Sequence, residues 1–235
     1  MNLRQAFALS GVSYLLIFIS GFYANFAILE TMVVPTNAEV TITNFMKDHS
    51  GLGWGIFGFL AMLFFDVVLV FSLYFVTQKV NKNLSVVASG FRLLHAVCFG
   101  VALLCLVEVY LITGDSVGLN MPSLQNLVMH LLQRCDELWK IGLLLFGVHL
   151  AFLGYLSFKS DLVPKSIGYL LCLAAMGYLV SCTAQLLMPN YKDYEQGFEL
   201  LVIAFGVVGE MAFTIWLLIK GFGRNPLKKI GPLER

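Results

Sequence analysis

Long apolar runs separated by short polar segments dominate the hydrophobic pattern of this chain. Six such runs cover residues 6–29, 51–76, 84–112, 123–158, 165–188 and 195–221. A helix needs about 20 predominantly apolar residues to cross the hydrocarbon core of a bilayer. The pattern therefore predicts an all-α fold, a polytopic transmembrane helical bundle with six membrane-spanning helices in a single integral membrane domain over residues 1–235. We number these spans 1 to 6.

The polar connection after span 1 carries a second, shorter pattern. Asn37 is a suitable N-cap, and the apolar residues Val40, Ile42, Phe45 and Met46 follow it at helical spacing. We expect a short amphipathic helix on the membrane surface here. Span 1 itself follows Arg4, as a signal peptide would, but its apolar core is longer than a usual signal sequence and predicts a first transmembrane helix.

Span 4 is longer than a bilayer requires. Residues 123–158 contain no helix breaker, and at 1.5 Å per residue they would extend roughly 50 Å. We therefore expect this helix to be the longest, with its first part projecting from the bilayer or covered by protein. Asp136 and Lys140 in that part are four residues apart and are expected to pair along the helix.

Basic residues fall mainly on one side of the six spans. Ten Lys and Arg residues lie on the side of the termini and two, Lys47 and Lys192, on the other. The ten are Arg4, Lys79, Lys82, Lys159, Lys165, Lys220, Arg224, Lys228, Lys229 and Arg235. The positive-inside rule then predicts that both termini are cytoplasmic.

Composition agrees with a membrane protein and narrows the partners. The chain is 59% hydrophobic and 12% charged, with a net charge of +1, so it lacks the basic surface that nucleic acid requires. The five cysteines form no CxxC pair and lie in or beside the spans, as buried apolar residues do. We expect the lipid bilayer as the partner, no nucleic acid and no resident cofactor.

Five ionisable residues interrupt the apolar runs at similar depth. Counting 1.5 Å per residue from the predicted cytoplasmic helix ends puts all of them about 11–16 Å deep. They are Asp66, Arg92, His95, His149 and Glu210. Each would cost about 2.5–3.5 kcal/mol if it faced lipid, so we expect them to face inward and to meet each other or water.

Spacing suggests how this polar layer is arranged. Arg92 and His95 are three residues apart and share a helix face, and Asp66 on the preceding span is the expected partner of Arg92. Glu199 and Glu210 are eleven residues apart, about three turns, so they would form one stripe leading outward. These six residues, Glu199 included, are our candidate ligand-binding residues.

Several phrases spread over nearly the whole chain carry a family resemblance. They include Asp66-Val67, Phe91-Arg92-Leu93, Leu144-Leu145-Phe146-Gly147-Val148-His149, Gly177-Tyr178-Leu179 and Gly209-Glu210. Together they resemble an uncharacterised bacterial family of integral membrane proteins, domain of unknown function 4386. The resemblance implies a bundle of six to seven spans in the plasma membrane and matches the polar positions Asp66, Arg92, His149 and Glu210.

Three classes of function fit these residues. The first is a protein that binds or passes a small polar ligand, an ion or protons within the bundle, and we favour it because ionisable residues inside spans are usually functional. The second is a structural or accessory protein whose buried charges only fix helix packing. The third is a metal-dependent protein: either a membrane-embedded metal hydrolase with His95, His149 and a carboxylate as zinc ligands, or a haem protein in which the two histidines hold the iron. Motifs such as HExxH and GxSxG are absent from the chain, which argues against an enzyme.

Overall fold

The computed structural model describes residues 1–114 and 120–223, and these form seven helices. The helices are α1 (Leu3–Met32), α2 (Ala38–Lys47), α3 (His49–Thr77), α4 (Lys82–Gly114), α5 (Met121–Lys159), α6 (Lys165–Leu187) and α7 (Glu195–Phe222). All except α2 are long and apolar enough to cross a membrane. The predicted all-α bundle with six spans is therefore confirmed, and each apolar helix begins and ends within three residues of its predicted bounds.

Capping residues explain where most helices begin. A polar side chain just before the helix accepts a hydrogen bond from a backbone N–H of the first turn, which would otherwise lack a partner. This occurs at Asn2, Asn37, Asp48, Asn81 and Asn120. The connection between α4 and α5 is shorter than the sequence suggested, because α4 continues to Gly114 and α5 begins at Met121.

The six long helices form a closed ring. In chain order, α1, α3, α4, α5, α6 and α7 each pack against the next, and α7 returns to α1. Arg4 joins the two ends of the described chain, because its Nε donates to Gly221 O at 3.0 Å and its Nη2 to Gly223 O at 3.3 Å. We call the side on which they meet the terminal face, and the opposite side, which carries α2, the far face. Four of the ten basic residues counted on the terminal side, Arg224, Lys228, Lys229 and Arg235, lie outside the described residues.

Two apolar clusters fill the ring, one toward each face. The terminal cluster includes Phe7, Leu73, Leu153, Leu171 and Leu217. The far cluster includes Ile42, Phe45, Phe59, Leu106 and Val128. Along α3, Asp66 lies between the two clusters, whereas His149 on α5 lies between Phe146 and Leu150 of the terminal cluster.

Helix α2 and the first part of α5 pack together on the far face of the bundle. In α2, Ile42 and Phe45 are fully buried, so its apolar face packs on the bundle rather than being left to lipid. The first part of α5 buries Leu124, Val128 and Leu131 in the same far cluster. This protein cover lets α5 run unbroken for 39 residues as the longest helix of the described chain. The predicted Lys140–Asp136 pair is present on its exposed side.

Candidate functional site

Arg92 on α4 is the centre of the polar layer. Its side chain is 1% exposed, and its guanidinium donates to three groups on three other helices. Nη2 donates to Asp66 Oδ1 on α3, and Nη1 lies 3.0 Å from Tyr14 Oη on α1 and 3.2 Å from His149 Nε2 on α5. The predicted Asp66–Arg92 contact is thus present. Because a lone buried charge is far costlier than a paired one, these acceptors make the buried guanidinium possible.

His149 is held as a neutral imidazole by its two hydrogen-bond partners. Its Nδ1 lies 2.8 Å from Ala88 O, and a carbonyl oxygen can only accept, so Nδ1 must carry the hydrogen. Its Nε2 faces Arg92 Nη1, which can only donate, so Nε2 must present its lone pair. His149 is therefore an acceptor for Arg92 and has no lone pair left for another ligand.

His95 has one committed nitrogen and one that faces a carboxylate. Its Nδ1 lies 2.9 Å from Gly142 O on α5, so Nδ1 donates to that carbonyl. Its Nε2 lies 3.6 Å from Asp66 Oδ2. That carboxylate oxygen is buried and accepts no hydrogen bond, and Arg92 Nε is likewise buried without an acceptor. The second oxygen of Asp66 is thus turned to His95 instead of completing a two-point pair with the guanidinium.

Phe146 on α5 packs at the middle of the layer. Its ring centroid lies 5.0 Å from that of His95, 5.8 Å from His149 and 5.4 Å from Tyr178. The Arg92 guanidinium carbon lies 5.4 Å from the same centroid and 4.9 Å from that of Tyr14. Aromatic faces attract cations, so both rings stabilise the charge of Arg92 as well as packing around it.

Glu210 on α7 lies beside Tyr178 of α6. The Tyr178 hydroxyl donates to Glu210 Oε1 at 2.9 Å, and Glu210 is 7% exposed. Tyr178 also packs over Gly206, where an added Cβ would lie 3.0 Å from the tyrosine ring. Gly206 belongs to a π-helical turn, Ile203–Val207, which ends shortly before Glu210. Such turns recur at functional sites of helices.

Glu199 does not lie with the other five candidates. It is exposed near the far end of α7, whereas Glu210 is buried. The π turn between them advances the chain by less rotation per residue than an α-helix, so the eleven-residue spacing does not keep the two carboxylates on one stripe. The described chain therefore has no continuous stripe of buried carboxylates between them, and a path from Glu199 to Glu210 stays a prediction.

The zinc and haem hypotheses required both histidines as ligands. His149 uses both ring nitrogens within the protein, so it cannot ligate a metal in this arrangement. Among the described residues, no group of three His, Cys, Asp or Glu side chains is arranged to hold a metal ion. In this arrangement the polar side chains of the layer bond to one another and to backbone carbonyls.

Comparison with known proteins identifies the family. A family model described as "Domain of unknown function (DUF4386)" matches residues 9–221. The chain belongs to this family. An uncharacterized protein of Archaeoglobus fulgidus is 29% identical over 168 residues, which cover 72% of this chain and 84% of that protein. No solved structure matches the chain.

The DUF4386 match includes every residue of the polar layer, from Tyr14 to Glu210. Tyr14, Phe146 and Tyr178 belong to that layer as well, and none of them was among the residues predicted from the sequence. Aromatic residues in an apolar span look like ordinary core or lipid-facing residues, and nothing in the pattern distinguishes them. A donor such as Tyr178 could still have been expected on general grounds. Two buried carboxylates with only one arginine between them require further hydrogen-bond donors, and a tyrosine hydroxyl is one.

Proposed function

We propose that this DUF4386 protein binds a proton in the middle of its membrane bundle, at His95 and Asp66. One observation carries the proposal: His95 Nε2 faces the partnerless Asp66 Oδ2 at 3.6 Å while its Nδ1 is already a donor. Without a proton on Nε2, a lone pair would face a carboxylate oxygen in a water-poor site. With that proton, His95 becomes a cation that pairs with Asp66.

The proton fits this site better than a larger ligand does. Asp66, Arg92 and His149 are 3%, 1% and 1% exposed, so the layer is closed to the protein surface. Two open cavities, of about 720 and 680 Å³, lie toward the far face, beside residues 192–198 and between the ends of α6 and α7. A proton requires no cavity.

The carboxylate of Asp66 gives such binding a structural consequence. When His95 is protonated, Asp66 bridges Arg92 and His95, which is the observed orientation. When the proton leaves, the lone pair of His95 Nε2 repels Asp66 Oδ2, and that oxygen can turn to the vacant donor Arg92 Nε. The site therefore has two hydrogen-bond arrangements, one for each protonation state.

The proposal also includes the membrane in which the protein lies and its orientation there. We propose that the protein lies in the plasma (inner) membrane, as its family resemblance implies, and that both termini are cytoplasmic, because basic residues concentrate on the terminal face. The proton-binding layer then lies near the middle of the bilayer, roughly 15 Å from the cytoplasmic helix ends. This is a position from which a bound proton can alter helix packing on either side.

Proton uptake after an acid jump, followed with a pH indicator dye, tests the proposal on the purified protein. When the jump starts above and ends below the pH range in which both His95 and Glu210 bind protons, His95→Gln should take up about one proton fewer per chain than the wild type, since one imidazole site is lost. His149→Gln is the matched control, because it removes a histidine of the same layer that the structure holds neutral, and its uptake should equal that of the wild type. Equal uptake by His95→Gln and wild type would refute the proposal and leave a packing role for the layer.

A further inference from the structure

Glu210 is the second buried carboxyl group of the layer, and no cation of the described chain forms an ion pair with it. The hydrogen-bond donor that the structure gives its side chain is the Tyr178 hydroxyl, at 2.9 Å. The guanidinium of Arg92, the arginine of the layer, directs Nη1 and Nη2 to Tyr14, His149 and Asp66. A buried carboxylate with one neutral donor and no paired cation is costly, so Glu210 must gain a proton or depend on a positive charge elsewhere in the layer.

The other charges of the layer determine which residue can supply the positive charge that an ionised Glu210 requires. Arg92 and Asp66 are a pair of opposite charge, and the partners of His149 keep it neutral. Only His95 and Glu210 are left to vary. The layer is electrically neutral in two states, one with both groups neutral and the proton on Glu210, the other with His95 protonated and Glu210 ionised.

We propose that Glu210 is a second proton-binding site and that it shares one proton with His95. This rests on the proposed function, because it requires that His95 binds a proton at all. Every other distribution leaves a net charge at the middle of a bilayer, where charge is expensive. The two sites therefore favour opposite protonation states across the pH range in which the layer stays neutral.

The geometry separates the two sites but keeps them in one electrostatic environment. The ring of Phe146 contacts His95 on one side and the ring of Tyr178, the partner of Glu210, on another. Each charge thus acts on the other through a ring and a low-dielectric interior, where Coulomb interactions are stronger than in water.

Other titratable and charged groups face these sites from each element packed around them. For Glu210 they are Tyr14 on α1, Asp66 on α3, Arg92 on α4 and Tyr178 on α6. For His95 they are Asp66 on α3, Arg92 on α4 and His149 on α5. Cys182 lies next to Tyr178 on α6 and contributes no charge when it is a thiol.

The test is the pH at which half of His95 is protonated, measured by NMR on protein labelled with ¹⁵N in its histidines. Glu210→Gln removes the negative charge that favours the imidazolium, so His95 should bind its proton at least about tenfold more weakly. Glu199→Gln is the matched control, because Glu199 is an exposed carboxylate eleven residues away on the same helix, and it should leave His95 unchanged. Tyr178→Phe removes the donor that supports the Glu210 anion, and it should shift His95 in the same direction by a smaller amount.

The outcomes separate the two proposals. If His95 of the wild type gains no proton, the proposed function fails. If His95 gains a proton in the wild type, and neither Glu210→Gln nor Tyr178→Phe changes the pH at which half of His95 is protonated, the shared proton is refuted while the His95 site stands. Should Glu210→Gln fail to fold, the Tyr178→Phe protein, which keeps the carboxyl group, decides the question by the same criterion.

Discussion

Asp66 and Arg92 join α3 to α4 through a single hydrogen bond, although a carboxylate and a guanidinium can form two. Nη2 of Arg92 donates to Oδ1 of Asp66, while the neighbouring Nε and the second oxygen, Oδ2, are both buried without a hydrogen bond. The vacant oxygen faces His95. Asp66 therefore contacts two different residues of α4, Arg92 through one carboxylate oxygen and His95 through the other.

Removing one member of this pair should be worse than removing both. Asp66→Ala leaves an unpaired buried cation and Arg92→Ala an unpaired buried carboxylate, each costing about 3–5 kcal/mol. The Asp66→Ala/Arg92→Ala double variant lacks both charges, so its loss of stability should be smaller than that of either single variant. Folded yield and thermal unfolding in detergent measure this. Additive losses would mean that the two residues act independently.

The Tyr14 hydroxyl should contribute measurably to holding Arg92. Tyr14→Phe keeps the ring against the guanidinium but removes the acceptor 3.0 Å from Nη1. A hydrogen bond to a charged group contributes about 1.5–3 kcal/mol, so the variant should unfold at a lower temperature. Tyr155→Phe is the control, because Tyr155 is 47% exposed and should change little. Equal stability of the Tyr14→Phe and wild-type proteins would show that the contact is not stabilising.

The sequence was sufficient for the spans, the long α5 and the Asp66–Arg92 pair. Each of these follows from strong local rules: apolar length, the absence of breakers, and the need of a buried arginine for an anion on a neighbouring helix. The position of Glu199 relative to Glu210 could not be obtained in this way. The π turn at Ile203–Val207 rotates the residues before it relative to those after it, and no residue type in that segment predicts a π turn. The neutral state of His149 depends on a backbone carbonyl of another helix, Ala88 O. The spacing of residues in the sequence does not predict that contact.

Close packing of α5 on α6 should make Gly168 intolerant of a side chain. An added Cβ would lie 2.7 Å from the backbone N of Phe158, and overpacking of this kind costs about 1–3 kcal/mol. We expect Gly168→Ala to lower the unfolding temperature. Gly90→Ala is the matched control in α4, where a Cβ meets nothing within 4 Å and alanine favours the helix. Destabilisation by Gly90→Ala but not by Gly168→Ala would contradict the described packing.

Orientation in the membrane can be tested by labelling single cysteines in cells, after replacement of the five native cysteines. A cysteine at the exposed position Lys82, on the terminal face, should react with an impermeant reagent only when the cytoplasmic side is open to it. A cysteine at Asn190, on the far face, should react from outside. The reverse pattern at both positions would overturn the proposed cytoplasmic termini.

The ¹⁵N spectrum of the four histidines of the wild-type protein in a lipid bilayer, recorded across the pH range, tests the central claim most directly. We predict that His95, assigned with His95→Gln, changes from an imidazole protonated on Nδ1 to an imidazolium as the pH falls, because Asp66 Oδ2 then stabilises the second proton. His149 should remain neutral and protonated on Nδ1 throughout that change. A His95 that stays neutral down to the pH at which the protein unfolds would contradict the account.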